Sequence, residues 1–151
     1  MEIKVGVVGA TGYAGAELVR LLLNHPYAKL TAISSVTFEG QKISEVYPSY
    51  LGLCDMVCKT QEEVVEKCDV VFAALPHGLS QELAAACAKR MKFFIDLGAD
   101  FRLEDEETYK TWYGCEFLDK ALHEQAVYGL PELFRPFISG KKIFNLWVLK
   151  S

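Results

Sequence analysis

Three glycines, Gly9, Gly12 and Gly15, recur at every third position in the stretch GATGYAG. A turn of this composition suits the holding of a phosphate. Glycine lets the chain turn tightly, and the missing Cβ lets backbone amides approach an anion. If a helix begins here, its unpaired N–H groups and the positive end of its dipole complete the cradle. Thr11 adds a hydroxyl donor, and Tyr13 and Ala14 lie within the same turn. The spacing is G-x-x-G-x-x-G rather than G-x-G-x-x-G. Assignment to a dinucleotide therefore rests on context, an apolar strand before the turn and a helix after it. The bland alternative is a glycine turn needed only for close strand–helix packing.

A second group of residues bears on the ribose. Folds that bind NAD place an Asp or Glu about 20 residues beyond the glycines, where it accepts from the ribose hydroxyls. Here that region reads AISSVTFEG, with Ser34 and Ser35 at its tip and no carboxylate beside them. Nothing repels a 2′-phosphate and two hydroxyls can donate to it, so NADP is favoured over NAD. Val36 occupies the place where a guanidinium would strengthen that preference.

The third group is Pro76, His77 and Gly78 in ALPHGLS, directly after the most apolar run of the chain. Ligands of open α/β sheets sit at the carboxyl ends of strands, so this loop is expected beside the cofactor. His77 has the chemistry of a base, and a loop histidine equally shapes a turn or caps the next helix. The five cysteines, Cys54, Cys58, Cys68, Cys87 and Cys115, are odd in number and scattered. They read as reduced thiols, and the C-x3-C pair at Cys54 and Cys58 has no partner pair to complete a zinc site. No metal is expected.

The elements that must position these groups alternate. Ile3–Val8 is a β-branched run without polar alternation, as a parallel strand buried on both faces requires. Leu18, Leu21 and Leu22 recur at helical spacing and stop before Pro26. Leu30–Ile33 reads as a second strand, and Ser34 to Met56 as a long loop rich in Gly, Pro, Ser and Tyr. Thr60 and Glu63 have capping-box spacing and start a short helix. A strand in VVFAAL, an Ala-rich helix over Leu79–Arg90 and a strand at Phe93–Leu97 follow. Beyond Asp100 the chain turns acidic and aromatic, read as a short helix with excursions over the sheet edge. Ile143–Leu149 is expected to form a last strand, with Trp147 and Val148 finishing it as an apolar plug. Strands alternating with helices give an α/β, Rossmann-type, doubly wound and mostly parallel sheet in a single domain over residues 1–151.

Bulk properties agree. The 151 residues carry a net charge of -4 and are 51% hydrophobic, ordinary for a globular domain and without a basic footprint for nucleic acid or anionic membrane. MEIKVGVV lacks the charged region and cleavage site of a signal peptide, and no apolar run reaches the ~20 residues that span a bilayer. The expectation is a cytoplasmic protein.

GATGYAG, the serine pair, ISEVYPSYLG, LPHGLS, DLGADFRL and YGLPEL occur in this order between Ile3 and Asn145. In register they closely resemble the cofactor-binding half of the N-acetyl-gamma-glutamyl-phosphate reductases, relatives of aspartate-semialdehyde dehydrogenase. The resemblance implies an NADP-dependent enzyme of arginine biosynthesis. In its reaction a cysteine thiolate displaces phosphate from an acyl phosphate, NADPH reduces the thioester, and a semialdehyde leaves. It implies that Gly9, Thr11, Gly12, Tyr13, Ala14 and Gly15 form the pyrophosphate turn. Ser34 and Ser35 would serve the 2′-phosphate, and Pro76, His77 and Gly78 the loop facing the cofactor. Asp100, Arg102, Tyr128 and Glu132 fall in motifs near the family's active-site floor, where turn capping and surface ion pairing are equally open. The family nucleophile follows Asn-Pro-Gly, whereas Asn145 is followed here by Leu146, Trp147 and Val148. None of the five cysteines follows Asn-Pro-Gly, and Cys115 reads better as a structural thiol than as a substitute. The implied role is therefore cofactor binding without a catalytic residue in this chain, the second domain of the family being absent from it. A non-catalytic NADP(H) sensor and a piece of an aspartate-semialdehyde dehydrogenase stand as alternatives, and a homo-oligomer is an expected partner state.

Overall fold

The computed structural model describes residues 2–145, Asn145 through its backbone alone. It divides into two compact units, Met1–Ala74 and Leu75–Ser151.

In the first unit β1 (Ile3–Val8) lies between β2 (Ala28–Ser34) and β4 (Val70–Ala73), and β3 (Cys58–Lys59) extends the sheet beyond β2. All three ladders are parallel. Val8 is level with Ser34 on one side and Ala73 on the other, so three carboxyl ends finish together. Val5, Val7 and Val8 are buried, as the uninterrupted apolar run predicts.

Helix α1 (Tyr13–Leu23) buries Gly15, Val19 and Leu22. The leucine stripe read from the sequence is rotated from this: Leu21 is 55% exposed. Gly15 sets the orientation. A Cβ there would lie 2.0 Å from the Gly9 carbonyl oxygen, so the helix is seated with this residue against the turn. Positions 19 and 22 follow on the same face and 21 turns outward. On the opposite side of β1, a Cβ at Gly6 would meet Val64 Cγ1 at 2.4 Å, which brings α3 (Gln61–Lys67) close to the strand. That helix starts with the expected capping box. Thr60 Oγ1 accepts the Glu63 N–H at 3.2 Å and the Glu63 carboxylate accepts the Thr60 N–H at 3.3 Å.

The stretch from Ser35 to Val57 is more ordered than the loop expected for it. It contains α2 (Ile43–Val46), a single 3-10 turn at Pro48–Tyr50 and an antiparallel bridge between Lys42 and Val57. Ile43 and Tyr50 are buried in the core with Cys54 and Cys58. Four core residues at irregular intervals leave no period to read, so the sequence showed only the breakers.

The second unit begins with the loop to α4 (Ser80–Lys89), followed by β5 (Phe93–Asp96), α5 (Glu106–Tyr113), α6 (Lys120–Gln125), β6 (Val127–Tyr128), α7 (Pro131–Ile138) and β7 (Ile143–Asn145). Strand β7 pairs in parallel with β5 and with β6. The two-residue β6 is too short to carry alternation, which is why the acidic and aromatic segment read as an excursion. The predicted last strand is present as far as Asn145, and Trp147 and Val148 lie outside the described residues. Parallel ladders fed by helices make this an α/β, Rossmann-type fold. Among the described residues, no helix is long and apolar enough to cross a membrane.

Candidate functional site

The glycine turn leaves β1 at its carboxyl end. Gly9 adopts φ 80°, a conformation that favours glycine. The Ser34 carbonyl accepts the N–H groups of Gly9 at 3.1 Å and Ala10 at 2.9 Å, tying the turn to the end of β2. The Gly12 N–H closes back onto the Gly9 carbonyl at 3.1 Å. Gly12 then serves as N-cap of α1 with extended backbone, without a side-chain cap and without an acidic residue in the first turn. An α-helix leaves its first N–H groups without helical partners, so the amides at Tyr13, Ala14 and Gly15 present positive potential at this end. The nearby carboxylate, Glu17, is occupied by Arg20 at 2.5 Å on the exposed side of the helix.

The three glycines have different reasons to be there. Gly15 is required by packing, as the 2.0 Å approach shows. A Cβ at Gly12 would meet Gly9 O at 3.5 Å, an ordinary contact, so the fold does not demand glycine at this position. Gly12, Tyr13 and Ala14 are all exposed, Tyr13 to 95%. The open position is the one an anion would approach.

Ser34 and Ser35 are nearly buried, at 2% and 5% exposure. The Ser35 hydroxyl lies 2.6 Å from the Thr11 hydroxyl and accepts the Phe38 N–H at 3.2 Å. One of the two hydroxyl protons fills this contact. Whichever hydroxyl donates, the other keeps its proton for an oxygen beyond the pair. Two tyrosines reach this segment at different points: Tyr47 Oη donates to the Thr11 carbonyl of the turn at 2.6 Å, and Tyr50 Oη donates to the Ala16 carbonyl within the helix. Burial raises the Tyr50 phenol above its ordinary range, so it remains a donor.

Pro76, His77 and Gly78 lie in the second unit, in the loop that continues from β4. Pro76 and His77 are exposed, and Gly78 has φ 87°. The loop is held by Asp100, whose side chain is fully buried. Its Oδ1 accepts the Gly78 N–H at 2.6 Å and the Tyr109 hydroxyl at 2.8 Å, and its Oδ2 accepts the Ser80 N–H at 2.9 Å. Asp100 therefore caps the loop and the start of α4, the turn-capping option left open for it. Burial, then the adjacent Asp100 carboxylate, holds the Tyr109 phenol protonated far above the usual tyrosine range. The His77 ring lies 5.4 Å from that of Tyr113, and a Cβ at Gly78 would sit 3.1 Å from Cys115 Sγ. Cys115 is half-buried, packed under this loop. Arg102 donates to the Gly98 carbonyl at 2.8 Å, Tyr128 packs edge-on against Phe134, and Glu132 is exposed. Sequence reasoning missed Tyr47, because a hydroxyl reaching a carbonyl more than 30 residues away leaves no local pattern. The other four cysteines are buried, and burial raises the Cys58 thiol. Among the described residues no group of three or more His, Cys, Asp or Glu side chains is placed to hold a metal ion.

A parallel α/β sheet whose first strand feeds a glycine turn and an uncapped helix defines a nucleotide-binding domain of the NAD(P) class. Comparison with known proteins gives the family. The model described as "Semialdehyde dehydrogenase, NAD binding domain" matches residues 4–140, and the chain belongs to that family. Among curated relatives, N-acetyl-gamma-glutamyl-phosphate reductase of Clostridium beijerinckii is 53% identical over 133 residues, covering 88% of this chain and 39% of that protein. The enzyme of the same name from Brachyspira hyodysenteriae is 51% identical over 149 residues, covering 99% of this chain and 41% of that protein. The chain thus spans about two fifths of the length of these relatives. Of solved structures, aspartate semialdehyde dehydrogenase II from Vibrio cholerae aligns with TM-score 0.69 at 16% identity, over 97% of this chain and 42% of that one. Aspartate semialdehyde dehydrogenase from Candida albicans aligns with TM-score 0.60 at 24% identity, over 70% of this chain and 32% of that one. At these identities the structures speak for the fold.

Proposed function

We propose that this chain is the NADP(H)-binding part of an N-acetyl-gamma-glutamyl-phosphate reductase, working in the cytoplasm in arginine biosynthesis. The observation that carries the cofactor assignment is the uncapped, acid-free N-terminus of α1 behind Gly12, beside a part-buried pair of hydroxyls where an NAD-binding fold would place a carboxylate. Gly9, Thr11, Gly12, Tyr13, Ala14 and Gly15 would receive the diphosphate. Thr11 and Ser35, one donating to the other, would leave one hydroxyl donor for the 2′-phosphate, with Ser34 fixing the turn through its carbonyl. Pro76, His77 and Gly78, fixed by Asp100, continue from the carboxyl end of β4, which is level with that of β1. The resemblance assigns this loop to the nicotinamide side of the cofactor.

When bound, the dinucleotide supplies hydride; the residues here bind it, orient it and balance its negative charge. The relatives' name points to an acyl phosphate as the substrate. No cysteine of this chain stands at the position the resemblance gives to the nucleophile, so its 151 residues alone bind cofactor without reducing substrate. Titration of the purified chain with NADPH and NADH, followed by nicotinamide fluorescence, tests the assignment. NADPH is expected to bind and NADH to bind more weakly. Undetectable binding of both refutes the assignment, and tighter binding of NADH refutes the 2′-phosphate reading.

A further inference from the structure

We propose that Tyr47 is a positioning residue that holds the glycine turn in the form that receives a diphosphate. The proposal rests on the cofactor reading above. The Thr11–Gly12 peptide is gripped at both ends. Its carbonyl accepts the Tyr47 hydroxyl at 2.6 Å, and its N–H donates to Gly9 O at 3.1 Å. Because the peptide unit is planar, fixing the carbonyl also fixes the direction in which Gly12 hands the chain to α1. A free carbonyl at this point would swing a partial negative charge into the path of an anion. The phenol turns it toward the loop and leaves the amides facing outward.

The loop that delivers Tyr47 is built to hold it. The Ile43 N–H donates to Met56 O and the Cys58 N–H to Gln41 O, both at 2.9 Å, and Ser44 Oγ donates to Asp55 Oδ1 at 2.5 Å. The Tyr47 N–H donates to Ile43 O at 2.8 Å, and its half-buried ring meets Tyr50 edge-on at 6.5 Å. Tyr50 supplies an internal control. Its hydroxyl holds the Ala16 carbonyl, inside the helix and away from the open amides, and its ring is 6% exposed in the core. One phenol acts on the turn and the other on the fold.

The experiment compares Tyr47→Phe and Tyr50→Phe with the unsubstituted chain, reading NADPH affinity and the melting temperature without ligand. Tyr47→Phe is expected to weaken NADPH binding by about three- to tenfold while melting close to the unsubstituted chain. Tyr50→Phe is expected to melt a few degrees lower and keep its affinity within about twofold. If Tyr47→Phe binds like the unsubstituted chain, the positioning role is refuted while the cofactor reading stands. Losses of affinity that merely track losses of melting temperature in both variants refute it equally. If the unsubstituted chain binds neither dinucleotide, the cofactor reading fails and carries the positioning role with it. Should Tyr47→Phe fail to fold, Ser44→Ala loosens the same loop without touching the turn. Weaker NADPH binding is then expected, and unchanged affinity refutes the proposal.

Discussion

Gly12 and Gly15 belong to one motif and answer to different forces. At Gly15 a methyl group has nowhere to go, because the carbonyl that blocks it is the backbone of the turn itself. Gly15→Ala is expected to lower stability by about 2 kcal/mol or more, through overpacking that the backbone must absorb. At Gly12 the same methyl meets an ordinary contact of 3.5 Å and stands on the exposed side of the turn. Gly12→Ala is expected to keep the melting temperature within a few degrees and to lose dinucleotide affinity. Thermal melts with and without NADPH check both. The idea fails if the two variants lose stability alike, or if Gly12→Ala binds normally. At this scale the sequence showed that the glycines form a turn and not what each one is for. Glycine spacing announced the turn, yet nothing in the string separates a glycine kept by packing from one kept for a ligand. Asp100 was visible as a candidate, but its capping of Gly78 and Ser80 depends on a chain reversal between them.

Among the elements, α6 carries a group whose burial makes stability depend on pH. The ring of His123 is stacked 3.5 Å from Phe117 and 4.6 Å from Phe101, centre to centre, with Nε2 3.3 Å from Gln81 Oε1. Burial pushes its pKa below the ordinary 6.5, opposed by the carboxylates of Asp100, Glu106 and Asp119. The folded state thus binds its proton less readily than the unfolded chain. Its contribution to stability is present above the unfolded value of about 6.5 and is lost as pH falls below it toward the folded pKa. Urea unfolding is expected to show a lower midpoint at pH 5.5 than at pH 7.5, with the difference reduced in His123→Phe. An equal difference in that variant would remove His123 from the explanation. Element boundaries were legible where a chemical signal marks them. Thr60 and Glu63 start α3 as read, and Ile3–Val8 is β1 residue for residue. Elements whose only support is tertiary, α2 and β6, were not legible.

At the level of the whole molecule, α7 leaves an apolar face open. None of its residues is buried, and Leu133 and Phe137, one turn apart on one face, are 69% and 62% exposed. Apolar faces of this kind seek a cover. The chain is expected to self-associate as concentration rises, and a Leu133→Glu, Phe137→Glu double variant to do so less. Light scattering across a concentration series measures this, and a monomer throughout the series contradicts it. The fold class was legible from rhythm alone, since alternating strand and helix signals leave few topologies other than a parallel sheet.

A crystal of the chain soaked in NADPH tests the central claim most directly. The account predicts the diphosphate against the amides that follow Gly12, at the head of α1, with the 2′-phosphate within hydrogen-bond reach of the Thr11–Ser35 pair. A glycine turn left empty while NADPH binds elsewhere, or not at all, would contradict it.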